Sequence, residues 1–306
     1  MTTWTDLLDP GSATNFFKPP PETTPFDGTV TDYKDVNAWW LMELSRLVYC
    51  RDDAKREAFL SRANLKQVDK FIDANDTECF VVAAEGDHAW AALVFRGTEN
   101  IQDWLINAHF KMGPWPLGGN VHEGFRNALD TVWERVEATL QKVAGDVPLF
   151  LSGHSLGAAL ATLAASKLLA SERNPVATYT FGSPFTGDAA FGATLDTGHL
   201  YRVVHDRDLV PTVPPPFPPL LNYVHHGLLH AIGAAEPAHP IHEHDTVAPL
   251  LDSPQGFTLQ DFRKRYQTGV RSVLGILNPP VPLADHAPIN YVNVLGVAAH
   301  IPPRDP

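Results

Sequence analysis

The sequence predicts an α/β fold with a mostly parallel central sheet and helices on both faces. The order of patterns along the chain favours this class, and two further observations indicate a globular chain that can form one domain. Short, almost wholly apolar runs alternate with helical patterns through the second half of the chain, as in sheets of parallel strands. Hydrophobic residues make up 44% of the sequence, as in ordinary globular proteins. A chain of 306 residues is also long enough to bury about 75% of its unfolded surface in one domain.

The N-terminal region differs from the rest of the chain. Residues 1–35 are polar and carry a proline cluster at 19–25, so we expect an extended arm that wraps on the surface. No linker is evident beyond it, and residues 36–306 are interpreted as a single domain. That domain is predicted to begin with an amphipathic helix from Asp35 to about Tyr49 and a more charged helix over Asp53–Arg62.

The predicted sheet and its covering helices follow. The apolar runs Glu78–Ala84 and Ala89–Phe95 are separated by a Gly-Asp pair and predict a β-hairpin. Periodicity and apolar runs then predict strands over 148–151, 176–181 and 199–204, and helices over 121–144 and 156–170. Regular structure is expected to resume near 258–274, and a last helical stretch is expected after Ala284.

Charge and composition exclude several functions. The chain has 23 basic and 35 acidic residues, and its net charge of −12 argues against nucleic acid, whose phosphates would be repelled. No run of about 18 apolar residues is present, so no transmembrane segment is predicted. The N-terminus lacks the basic and apolar regions of a signal peptide, so we expect a cytoplasmic protein, with signal-independent export as the alternative. Cys50 and Cys79 are expected to be small buried residues, a disulfide between them being the alternative.

The segment Gly153-His154-Ser155-Leu156-Gly157 matches the pattern G-x-S-x-G. It lies between a predicted strand and a predicted helix, which is the setting of a nucleophile elbow. In such an elbow the serine adopts a strained backbone conformation, and close packing leaves room only for glycine on either side. We therefore predict that Ser155 is a catalytic nucleophile, while His154 is interpreted as a packing residue beneath it.

A serine hydroxyl needs a base, and the base needs an orienting acid. In this type of site the order along the chain is serine, acid, histidine. Asp188, Asp206 and Asp208 all follow predicted strands, where an α/β site is located. Spacing does not choose among the histidines that could act as the base, which are His225, His226, His230, His239, His242, His244, His286 and His300.

Several segments resemble the class 3 lipase family, the fungal-triacylglycerol-lipase-like α/β hydrolases. They cover about residues 75–300 in the family's order. The segments are VFRGT (94–98), VHEGF (121–125), GHSLGAALA (153–161), YTFGSP (179–184), YRVV (201–204) continuing to DLVP (208–211), and DH (285–286). The resemblance implies an α/β-hydrolase fold with a lid over the active site, and a serine hydrolase that needs no cofactor and no metal.

The resemblance also implies a role for individual residues. Ser155 matches the family's nucleophile, Asp208 its acid and His286 its base. Thr98 and Leu156 match the residues that form the oxyanion hole, where loss of one donor typically costs about 10²–10³ in turnover. The family's lid would fall on residues 99–120, with Trp104, Phe110 and Trp115 as candidate substrate contacts. The same apolar residues would equally suit a helix packed into the core.

The expected substrates are carboxylic esters, above all acylglycerols, with transient contact with lipid surfaces. A phospholipase, a feruloyl-type esterase and a catalytically silent lipid-binding protein are the alternatives. The His-rich stretch from His225 to His244 is interpreted as a solvated loop, with metal binding as its alternative.

Overall fold

A computed structural model describes residues 2–18, 24–73, 76–86, 88–101, 104–105, 110–143, 146–216, 218–233, 279 and 281–301. The regular structure predicted near 258–274 lies outside the described residues, as do His239, His242 and His244.

A seven-stranded sheet forms the centre of the molecule. Its strands, in spatial order, are β1 (Lys66–Ile72), β2 (Glu78–Ala84), β3 (Trp90–Phe95), β6 (Leu149–His154), β7 (Ala177–Phe181), β8 (Leu200–His205) and β9 (Leu228–Ile232). Strands β1, β2 and β3 pair antiparallel, whereas β3, β6, β7, β8 and β9 pair parallel. A separate two-stranded ribbon joins β4 (Met112–Pro114) to β5 (Asn120–His122).

Helices cover both faces of the sheet. They are α1 (Trp4–Leu8), α2 (Asp35–Leu47), α3 (Asp53–Arg62), α4 (Glu123–Leu140), α5 (Leu156–Ala170), α6 (Ala189–Gly192), α7 (Val281–Ala284) and α8 (Pro288–Ala298). Strand β3 shows how the faces divide, because successive side chains of a strand point to opposite sides. Ala92 and Val94 pack into the core beneath α2 and α8, whereas Ala91 and Leu93 pack beneath α4 and α5.

The predicted fold class is confirmed: the sheet is mixed but mostly parallel, and both of its faces are covered. The predicted hairpin is the β2–β3 pair, and the predicted helix over Asp53–Arg62 is α3. The helix predicted from residue 121 begins at Glu123, because the preceding residues form β5. Strands β1 and β9, at the two edges of the sheet, were not predicted.

The N-terminal segment differs from the expected extended surface arm. Residues Trp4–Leu8 form α1, whose start is fixed by a capping box between Thr3 and Asp6. Phe16 and Phe17 are fully buried in the core beside α2. Leu7, Phe16 and Phe17 of this segment are therefore packed into the molecule, while the division of the chain into arm and domain stays a prediction.

The histidines of the described part of the His-rich stretch are not in a solvated loop. His225 stacks on Phe185 with ring centroids 3.8 Å apart and bonds to the Pro211 carbonyl. His226 is buried, and burial lowers its pKa to about 4. His230 belongs to β9. The prediction failed because the apolar partners that bury these rings are distant in sequence.

Cys50 and Cys79 are both free thiols and both buried. Within the described ranges, every helix is too short or too polar to cross a bilayer.

Candidate active site

Ser155 lies at a sharp turn between β6 and α5. Its backbone has φ 59° and ψ −129°, a conformation that side-chain-bearing residues rarely adopt. A Cβ atom on Gly153 would collide with the backbone of Gly157, and one on Gly157 would collide with the carbonyl of Phe95. The amide of Ser155 donates to the Phe181 carbonyl at 2.9 Å, which ties the turn to β7. The local sequence thus produces the strained elbow that the motif predicts.

His286 lies between α7 and α8 and bonds to Asp208, which follows β8. The distance from His286 Nδ1 to Asp208 Oδ2 is 2.8 Å, and both side chains are buried. An ionised carboxylate only accepts hydrogen bonds, so Nδ1 carries the proton. The lone pair of the imidazole is therefore on Nε2, which is the nitrogen that a general base would use.

Two buried polar atoms at this point have no hydrogen-bond partner among the described residues. They are Ser155 Oγ and His286 Nε2, which are also not bonded to each other. Gly182 follows β7 and lies near both Ser155 and His286. The carbonyl of its neighbour Phe181 accepts the Ser155 amide, and a Cβ atom on Gly182 would lie 2.9 Å from the His286 ring. Catalytic hydrogen bonds are often long without substrate and shorten in the complex.

The other candidate acids are engaged elsewhere. Asp188 caps α6 by accepting the Phe191 amide, and it also bonds to the side chain of Asn120. Asp206 is partly exposed and lies 4.0 Å from the guanidinium of Arg207. Within the described part of the chain, Asp208 is thus the candidate acid that bonds to a candidate base.

The two proposed oxyanion residues lie on either side of the elbow. Leu156 is the first residue of α5, where an N–H group has no partner within the helix and the helix dipole favours negative charge. Thr98 follows β3, and its hydroxyl accepts the Asn100 amide at 3.1 Å. Both residues line a cleft of about 460 Å³ that is also lined by Arg96 and Asn127.

A family model described as Lipase (class 3) matches residues 92–217, which contain the elbow, Thr98 and Asp208. Over these residues the chain is similar to the class 3 lipase family. The match runs from β3 to the segment after β8 and thus covers β6, which ends at the elbow, and β8, which precedes Asp208. His286 lies beyond it.

Several curated relatives of this chain are fungal lipases. It is 36% identical over 141 residues to "Secreted mono- and diacylglycerol lipase 1" of Fusarium solani, covering 44% of this chain and 42% of the relative. It is 33% identical over 151 residues to "Lipase" of Rhizomucor miehei, covering 46% of this chain and 41% of the relative. The chain thus spans about two fifths of the length of these curated relatives.

Solved structures of fungal lipases share the fold. A lipase from Rhizopus microsporus var. chinensis superposes with a TM-score of 0.56 and 25% identity, covering 72% of this chain and 83% of the other. The triacylglyceride lipase of Rhizomucor miehei superposes with a TM-score of 0.55 over 80% of this chain and 94% of the other. At 24% identity the second likeness shows the fold alone.

The prediction of a cytoplasmic location is wrong in light of these relatives. Two of them, from Fusarium solani and Penicillium cyclopium, are named as secreted mono- and diacylglycerol lipases. The prediction rested on the missing signal-peptide pattern, which reports on only one route of export.

The three candidate lid residues have different surroundings. Phe110 packs with Leu105 in an apolar cluster that also contains Leu283 and Ala287, which flank His286. Trp104 is partly exposed and stacks on Phe125. Trp115 packs in the core beneath α4 and α5, and its indole N–H donates to Ser166 Oγ at 2.9 Å. The surroundings of Trp115 are those of a core residue, and its predicted role at the substrate has no support from this packing.

Sequence reasoning missed one residue that bonds directly to the acid. Tyr291, in α8, donates its hydroxyl to Asp208 Oδ2 at 2.6 Å and accepts the His205 amide at 3.1 Å. Burial, followed by the nearby Asp208 carboxylate, raises the pKa of Tyr291 well above its usual value. Its position five residues after His286, in the same apolar stretch, is the one signal that the sequence offered.

The described residues include no group of three or more histidine, cysteine or acidic side chains that could hold a metal ion.

Proposed function

We propose that this chain is a serine carboxylic ester hydrolase that cleaves acylglycerols. One observation carries the proposal: His286 is bonded through Nδ1 to the buried Asp208, while its Nε2 and the hydroxyl of the elbow residue Ser155 are both buried and unpartnered. A serine beside an oriented imidazole is the arrangement required for nucleophilic catalysis.

In the first half of the reaction, Ser155 Oγ attacks the ester carbonyl carbon as His286 Nε2 takes the hydroxyl proton. The carbonyl oxygen becomes an oxyanion, which the N–H groups of Leu156 and Thr98 stabilise. Asp208 orients the imidazole and stabilises the imidazolium. His286 then gives its proton to the leaving alcohol, and the acyl group remains on Ser155.

In the second half, water replaces the alcohol. His286 Nε2 takes a proton from water as the oxygen attacks the acyl carbon, and a second oxyanion forms at the same donors. Collapse of this intermediate breaks the bond to Ser155 Oγ, which recovers its proton from His286. The products are a carboxylic acid and the free enzyme.

The apolar cluster beside the site supports an acyl substrate. Val213, five residues beyond Asp208, packs there with Phe110 and with the neighbours of His286. A hydrocarbon chain that packed among these side chains would be removed from water, which stabilises the complex by about 0.8 kcal/mol for each buried methylene group. Relatives named as mono- and diacylglycerol lipases support acylglycerols, an extracellular location and transient contact with lipid surfaces.

The test is turnover of chromogenic esters of increasing acyl length by wild type and by Ser155→Ala. We expect wild-type turnover of at least one ester and its loss in the variant, with unchanged thermal unfolding. Ser171→Ala is the matched control, since it removes a serine hydroxyl at the other end of the same helix, where the group bonds to the Leu168 carbonyl. Equal turnover in wild type and Ser155→Ala would contradict the proposal, and an inert wild type would favour a silent lipid-binding protein.

A further inference from the structure

Two buried polar side chains beside the site take no part in the reaction described above. His154 is the second residue of the elbow motif, and Tyr49 follows α2 on the other side of the same turn. The ring of His154 packs against that of His286, with centroids 4.4 Å apart and planes 33° apart.

The hydrogen bonds of His154 fix which of its nitrogens carries the proton. His154 Nε2 lies 2.8 Å from the backbone carbonyl oxygen of His286. A carbonyl only accepts, so Nε2 must donate and Nδ1 must accept. The hydroxyl of Tyr49 lies 3.5 Å from Nδ1 and is the group that donates to it.

Tyr49 also contacts the strand end that leads to the oxyanion residue Thr98. A Cβ atom on Gly97 would collide with the Tyr49 hydroxyl, and it would lie 2.6 Å from the His154 carbonyl and 3.0 Å from Ser155 Cβ. The Tyr49 hydroxyl is therefore packed directly against the backbone that presents Thr98.

We propose that Tyr49 and His154 are positioning residues, which hold the backbone of His286 in register with the nucleophile elbow and with the Gly97-Thr98 segment. This inference rests on the proposed function. The link runs from Gly97 through the Tyr49 hydroxyl to His154 Nδ1, and from His154 Nε2 to the His286 carbonyl. It fixes the loop that carries the base, whereas Asp208 fixes the imidazole ring.

The surroundings keep this link uncharged. Burial, and then the neighbouring His286, lower the pKa of His154 well below its usual value, and burial raises the pKa of Tyr49. Tyr291, with its ring 5.8 Å from that of His154, is a further neutral neighbour, and the Arg96 guanidinium lies 5.8 Å from the Tyr49 ring. A neutral His154 can donate to the His286 carbonyl without repelling the imidazolium that forms on His286 during catalysis.

The test compares kcat and KM, with kcat expressed per active site as titrated by a fluorophosphonate. In Tyr49→Phe we expect kcat to fall about 3- to 10-fold, the worth of one neutral hydrogen bond, with KM nearly unchanged. In His154→Leu, which removes the donor to His286, we expect a loss on the order of 10²-fold. His154→Gln, whose side-chain amide can still donate, should recover about tenfold of that loss.

Tyr179→Phe is the matched control. Tyr179 is also buried, and its hydroxyl accepts the amide of Lys34, the residue that precedes α2, whereas Tyr49 follows the other end of that helix. A purely structural role for Tyr49 and His154 would reduce the number of titratable sites or the unfolding temperature and leave kcat per site at the level of Tyr179→Phe. That result would overturn the inference.

Nitrogen-15 NMR of the imidazole rings separates this inference from the proposed function. We expect His154 to be neutral and protonated at Nε2 at neutral pH, and to keep this tautomer in Tyr49→Phe, because the His286 carbonyl remains as the acceptor. A wild type that is inert and unlabelled at Ser155 would overturn the proposed function and the positioning role together. An Nδ1-protonated His154 would overturn the link alone, even in an active enzyme.

Discussion

Replacing Gly182 with alanine should disable the site without disturbing the sheet. Gly182 has φ 56°, and a Cβ atom there would lie 2.6 Å from Asp208 Oδ2 and 2.9 Å from Nδ1 and Cε1 of His286. Ordinary contact begins near 3.4 Å, so the carboxylate must move by about 0.8 Å and the ring by about 0.5 Å. Since a misplacement of about 1 Å can cost 10²-fold in rate, we expect Gly182→Ala to lower kcat about 10²-fold.

The stability effect of this change should be modest and should be matched by a control. A left-handed conformation costs a residue with a side chain about 1–2 kcal/mol, which urea unfolding would detect. Gly86→Ala imposes a similar positive φ of 99° in a position where nothing lies within 4 Å of the new Cβ atom. It should lose stability and keep kcat per titrated site. A Gly182→Ala enzyme with kcat within about twofold of wild type would refute the reasoning.

Three further outcomes are expected. Tyr291→Phe removes a charge-assisted hydrogen bond to Asp208, so the free energy of unfolding should fall by about 2–4 kcal/mol and kcat by about tenfold. Urea melts and ester kinetics measure the two effects, and the control Tyr179→Phe should leave kcat unchanged. Thr98→Val removes the hydroxyl that accepts the Asn100 amide, and kcat should fall about tenfold at constant KM. An unchanged kcat in ester kinetics would contradict this expectation. His226 has a pKa of about 4 in the folded state against 6.5 when unfolded, so the unfolded chain takes up a proton more readily. The contribution of the neutral His226 to the free energy of unfolding is therefore complete above pH 6.5 and is lost as the pH falls to 4. Between pH 6.5 and 4, urea melts should show that His226→Gln loses up to about 3 kcal/mol less stability than wild type.

The elbow could be predicted because its determinants are local. Gly153, Ser155 and Gly157 lie within five residues, and their spacing alone dictates a turn in which only glycine fits beside the serine. The parallel strands around it were predictable for the same reason, since strands buried on both faces are continuous apolar runs.

The edge strands could not be predicted in this way. Strand β1 carries charged residues at 66, 69 and 70 and buries Phe71 alone, so its membership of the sheet depends on pairing with β2. Strand β9 exposes Leu228 and Leu229 and is held by parallel pairing with β8. In both strands, hydrogen bonds to a distant segment outweigh the local pattern.

The base could be selected only through family resemblance, because the bond between His286 and Asp208 spans 78 positions. Tyr291 and Tyr49 were missed for a related reason. Each is a tyrosine in an apolar helical stretch, and such a residue is ordinarily a core residue; only the folded structure shows that one hydroxyl meets Asp208 and the other meets His154.

The most direct measurement is a crystal structure of the chain after reaction with an alkyl phosphonate, whose tetrahedral phosphorus imitates the ester intermediate. We expect a covalent bond from phosphorus to Ser155 Oγ, a phosphoryl oxygen about 2.7–3.1 Å from the amides of Leu156 and Thr98, and His286 Nε2 within about 3.2 Å of Ser155 Oγ. A phosphonate bound to another residue, or an adduct at Ser155 with the imidazole of His286 beyond hydrogen-bonding reach, would contradict the mechanism.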